Sequence, residues 1–84
     1  MTAGDIIEKV DGLTRDKLTY FVRAGYIKPK KIKRGTLYYN QFSQKDFFLV
    51  GHAWKYISQN DMRTRAAFER AEREYADPQL RLLE

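Results

Sequence analysis

The chain contains no cysteine, a single histidine and two prolines. Without cysteine there are no disulfide staples and no thiolate metal sites, and a reducing compartment suits the composition. The lone His52 lies in the middle of a predicted helix and has no second histidine with which to share a metal. It reads as a packing or surface residue. No apolar run approaches the roughly 20 residues that span a bilayer. The opening MTAGDIIEKV lacks the basic-then-apolar order of a signal peptide, so the expected address is cytoplasmic, with no membrane partner. Neither kind of glycine-rich nucleotide loop is present. Most carboxylates stand beside Lys or Arg on predicted helix surfaces, as solvated partners do. At 84 residues the chain builds one core and no deep active site. No enzyme, metal or cofactor is expected.

What is present is positive charge, and it is concentrated. Residues 13–34 hold eight Lys and Arg (15, 17, 23, 28, 30, 31, 33 and 34) against one acid, Asp16. That segment carries +7, the residues before it −2 and those after it 0, so it supplies the net +5 of the chain. A molecule that gathers its cations in a quarter of its length has a face suited to a polyanion.

Residues 3–10 predict a short first helix, with Ile6, Ile7 and Val10 on one stripe and Asp5 and Glu8 towards its positive end. Asp11-Gly12 ends it. Thr14 is a good N-cap for a second helix over 14–24, with Leu18, Phe21 and Val22 inward. Arg15, Lys17, Thr19, Tyr20 and Arg23 are left outward. Gly25 stops this helix, Ile27 folds back onto the core, and Pro29 prevents resumption.

From residue 30 to 42 the pattern turns to short β-like runs on either side of Arg34-Gly35-Thr36. A two-stranded hairpin is marginal alone, so Phe42 is expected to anchor it, with Lys33 and Arg34 at its tip. Ser43 and Asp46 form a capping-box pattern ahead of a third helix over about 44–58. Its expected core stripe is Phe47, Val50, Trp54 and Ile57, and 59–61 are expected to break it. A fourth helix over about 62–76 offers Met62, Ala66, Ala67, Phe68, Ala71 and Tyr75 as a small-residue face. Asp77-Pro78 reads as the start of a further helix or a C-terminal tail over 77–84.

The fold class expected is therefore mostly α with a small β-hairpin wing: a winged helix-turn-helix of about four helices over 1–76. In that arrangement the second helix lies in the major groove and the wing reaches along the backbone. Its cations would displace condensed counterions from phosphates, and its first turns would supply base readout. Double-stranded DNA is the expected partner.

Residues 12–29, GLTRDKLTYFVRAGYIKP, resemble the second helix and following turn of a MerR-type winged-helix domain. The matching positions are Thr14, Leu18, Tyr20-Phe21, Gly25, Tyr26-Ile27 and Pro29, without a gap, and the block Phe42 to Phe47 matches the close of the family's wing. The resemblance covers about residues 4–62. It implies that Arg15, Asp16 and Thr19 face the groove, that the Tyr20 hydroxyl grips a phosphate, and that Lys31, Lys33 and Arg34 lie in the wing. It also implies a bacterial transcriptional regulator, dimerising through a long helix beyond residue 78. Asn40 stands where the family often has a wing arginine. Asp16 stands where a basic residue is common, and there it would either weaken a phosphate contact or select a cytosine amino group. Two other roles fit the same scaffold: an excisionase-like architectural protein, or a protein–protein adaptor using Tyr20, Tyr26, Tyr38 and Tyr39.

Overall fold

The computed structural model describes residues 1–77 and 79. The elements run α1 (Ala3–Lys9), α2 (Arg15–Arg23), β1 (Lys30–Arg34), β2 (Leu37–Gln41), α3 (Gln44–Asn60) and α4 (Thr64–Ala76). Four helices and a two-stranded antiparallel hairpin form the winged helix-turn-helix arrangement expected from the sequence. Among the described residues no helix is long and apolar enough to cross a membrane.

Local chemistry sets the helix ends. Thr2 and Asp5 form a capping box at the start of α1, and Ser43 and Asp46 form another at the start of α3. In the second, the Asp46 amide donates to Ser43 Oγ at 3.1 Å and the Ser43 amide donates to Asp46 Oδ2 at 2.9 Å. Thr14 Oγ1 accepts from the Lys17 amide at 3.2 Å, which satisfies one free donor in the first turn of α2. That helix ends as its glycine demands: Gly25 takes φ +84°, and the Tyr26 amide donates to Phe21 O at 3.0 Å.

The core gathers Ile6, Leu18, Phe21, Val50, Ala53, Ala67 and Ala71 with Ile27 and Phe42. Ile27 folds back as expected, and Phe42 anchors the hairpin with 3% of its surface exposed. The Phe42 amide also donates to Met1 O at 2.7 Å, and the Met1 nitrogen donates to Phe42 O at 2.9 Å. The base of the wing is thereby joined to the start of α1.

Four expectations need correction. α3 continues to Asn60, so Gln59 and Asn60 do not break it; the stop is Asp61, in the left-handed region at φ 53°. α4 starts at Thr64 rather than residue 62, with Arg63 as its N-cap. The buried stripe of α3 is Asp46, Leu49, Val50, Ala53 and Tyr56, while Phe47, Trp54 and Ile57 pack only at its margin. Ala66 likewise is exposed. Beyond α4, the Gln79 amide donates to Asp77 Oδ1 at 2.9 Å. The rest of the helix or tail expected over 77–84, and any dimer helix beyond 78, lie outside the described residues.

Candidate nucleic-acid interface

Leu18 and Phe21 turn α2 so that its opposite side faces away from the core. Asp16, Thr19, Tyr20 and Arg23 stand at i, i+3, i+4 and i+7 and share that outward side, with Arg15 and Lys17 flanking it. All six are exposed. Tyr20 keeps 48% of its surface open and lies edge-on to Tyr26, with ring centroids 6.4 Å apart. Tyr26 in turn stacks on Phe68 at 4.9 Å, so the aromatic step from α2 leads into α4. This chain of rings fixes where Tyr20 stands without burying it.

The hairpin pairs Lys31 with Asn40, Ile32 with Tyr39, Lys33 with Tyr38 and Arg34 with Leu37. Side chains alternate across a strand, so Lys31, Lys33, Tyr38 and Asn40 share one face. Arg34 lies on the other face with Ile32, Leu37 and Tyr39. The three wing cations thus do not form one patch along the ribbon. Lys31 and Lys33 share a face, and Arg34 stands beside the turn. Lys33 Nζ lies 5.8 Å from the Tyr38 ring, and the Arg34 guanidinium 5.9 Å from the Tyr39 ring.

Helix and wing meet across a cleft of about 420 Å³. Arg15, Leu18 and Thr19 of α2 line one side of it, Tyr39, Asn40 and Phe42 the other, and Thr2 to Gly4 close the end. Asn40, where the sequence comparison expected an arginine, is therefore a lining residue of the helix–wing junction. The sequence marks Asn40 only as a departure from the family and Tyr39 only as a candidate protein contact; their position opposite Arg15 becomes visible only in the fold.

The ion pairs fall elsewhere. Lys45 and Glu72 are 3.4 Å apart, Arg65 and Glu69 3.2 Å, Arg70 and Glu74 3.7 Å, and His52 and Glu74 3.9 Å. All of these join or run along α3 and α4. Among the described residues, none of the eight cations between residues 13 and 34 is paired with a carboxylate. Lys45, Arg65 and Arg70 thus meet carboxylates of α4, whereas the cations of α2 and the wing do not.

A second cleft of about 740 Å³ lies among Lys9, Phe47, Phe48, His52, Trp54 and Tyr75. It is larger but holds none of the cations of α2 or the wing. His52 stacks on Phe48 with centroids 3.9 Å apart, and the Tyr56 hydroxyl donates to Glu74. The first lies within α3 and the second ties α3 to α4, and both are accounted for by packing. Among the described residues no cluster of three or more His, Cys, Asp or Glu is arranged to hold a metal ion.

Compared with protein-family models, with curated proteins and with solved structures, the chain matches none of them.

Proposed function

We propose that the chain binds double-stranded DNA, with α2 in the major groove and the wing on the adjoining backbone. One observation carries this reading: among the described residues none of the eight cations of residues 13–34 meets a carboxylate, and the segment holds a single acid to offset them. Unpaired cations on a rigid surface are what phosphate neutralisation requires, because each phosphate contact releases condensed counterions. An α-helix is of a width to enter the major groove, and Arg15, Asp16, Thr19 and Tyr20 stand on the side of α2 that would meet base edges and phosphates. Lys17 and Arg23 would flank the helix on the backbone. The reading needs no cofactor and no chemical step.

The resemblance of residues 12–29 to a MerR-type helix and turn extends the proposal to the DNA-binding domain of a bacterial, cytoplasmic transcriptional regulator. A single module of this size buries roughly 600–1,000 Å² on DNA, so pairing with a second copy would strengthen its binding.

A fluorescence titration of labelled duplex at several salt concentrations tests the reading. With about five phosphates neutralised, log K falls against log salt with a slope near −4 to −5. Affinity that does not change with salt overturns it.

A second reading is favoured by the tyrosines. Tyr20, Tyr38 and Tyr39 are exposed around the helix–wing junction, and Tyr is enriched at protein interfaces. An adaptor using those rings would keep its partner when Lys31 and Lys33 are both changed to Glu; a DNA-binding domain would lose its duplex.

A further inference from the structure

The wing ends in a two-residue turn, Gly35-Thr36, closed by the Arg34–Leu37 pair. Gly35 takes φ +61°, a conformation that suits tight hairpin turns and that L side chains rarely adopt. Leu37 is therefore the first side chain on the return strand, and 73% of its surface is exposed. Tyr38 next to it is 65% exposed. A single exposed leucine needs no explanation. Here, however, the apolar side chain stands at the end of a ribbon in which no residue is buried. Two unpaired cations, Lys33 and Arg34, are beside it, one on each face of the ribbon.

We propose that Leu37 is a wedge that enters the minor groove of duplex DNA and partly unstacks a base step, bending the helix at the wing. The proposal rests on the DNA-binding reading above and deepens it. The minor groove is about 6 Å wide, and two strands alone lie roughly 4.8 Å apart before their side chains are counted. The ribbon is too broad to enter, but one branched side chain at its tip is not. Apolar wedges of this kind open base steps and bend the duplex by roughly 20–90°. Lys33 and Arg34, on opposite faces, are placed for the phosphates of the two strands that border the groove. That arrangement selects the occupant. A purely apolar protein surface would leave both cations without partners, whereas a groove walled by phosphates supplies one for each.

The test uses the whole chain and a duplex of roughly 25 base pairs, long enough to report a bend. The duplex has mixed sequence with flexible TA steps and carries a donor and an acceptor dye at its ends. Wild-type protein is expected to raise energy transfer on binding. Leu37→Ser should bind with the same salt slope and an affinity within about tenfold, yet lose the rise. Leu37→Phe, a larger apolar wedge, should keep it. Circular dichroism of the free variants confirms that the exposed substitutions leave the fold intact. If wild type binds with no rise, or Leu37→Ser bends the duplex as wild type does, the wedge is overturned while DNA binding stands. If wild type shows no salt-dependent binding to any duplex, both fall together.

Discussion

The indole Nε1 of Trp54 donates to the carbonyl oxygen of Asp11 at 3.1 Å, joining the middle of α3 to the turn that leads into α2. Gly12, in that turn, has φ +79°, and a Cβ added there would come 3.5 Å from the same nitrogen. Trp54 therefore helps set the angle at which α2 leaves the body. Replacing Trp54 with Phe keeps most of the ring and removes the donor. A loss of about 1 kcal/mol is expected, read as a lower urea midpoint at unchanged slope. Gly12→Ala should destabilise by a similar amount through backbone strain, again about 1 kcal/mol.

The charge argument predicts opposite signs at neighbouring positions of α2. Arg15→Ala should weaken duplex binding by on the order of tenfold and reduce the log–log salt slope by about one. Asp16→Asn removes an acid from the same surface and should raise non-specific affinity at low salt. Both residues are exposed, so thermal midpoints should stay close to wild type. Equal effects of the two variants in the same direction would contradict the proposed docking of α2.

The capping box at the start of α3 is testable without DNA. Ser43→Ala removes the acceptor for the Asp46 amide, while the Ser43 amide that donates to the largely buried Asp46 carboxylate stays in place. A loss of about 1–2 kcal/mol in chemical denaturation is expected. Ser43→Thr, which retains the oxygen, should recover most of it.

Acid should act on the other capping box. The Asp5 carboxyl is held below the ordinary aspartate value, first by the Thr2 backbone N–H that donates to it and then by the Thr2 hydroxyl. A depressed folded-state pKa means that the unfolded chain takes up the proton first. The stabilisation is therefore complete above the ordinary value of about 3.9 and is lost as pH falls through the lower folded value. Urea midpoints of wild type and Asp5→Ala should differ at neutral pH and converge on acidification. A gap that widens towards acid would contradict the assignment.

Local signals in the sequence located α2 and the wing well. Thr14, Gly25 and Pro29 mark the ends and the turn by backbone chemistry that depends little on tertiary context, and Phe42 follows from the need to anchor a two-stranded ribbon. The face of α3 was not legible in the same way. Residues 47–57 are apolar over most of the helix circumference, so periodicity leaves the inward direction open, and the bulky Phe47, Trp54 and Ile57 attract the assignment. In the fold, Ala53 of α3 and Ala67 and Ala71 of α4 are fully buried in the shared core. Close helix contact favours small side chains, which pushes the large rings to the edges of the interface. The helix–wing cleft was half legible. Its charged lining residue, Arg15, announces itself, whereas Asn40 and Tyr39 depend on a strand register that local sequence does not specify. The split of Lys31 and Lys33 from Arg34 has the same origin, since a one-residue shift in pairing exchanges the faces.

Among the described residues the sheet has two strands, so each strand of the hairpin also has an outer edge with no neighbour. Open edges invite a strand from another molecule, and lysines along them discourage it by mutual repulsion. Lys30, Lys31 and Lys33 stand on β1, so separate copies should resist edge-to-edge joining while their ammonium groups are unscreened. A polyanion that neutralises those groups removes the safeguard at the place where it crowds copies together. Excess protein on a long duplex is therefore the condition under which this ribbon should begin to seed fibrous aggregates.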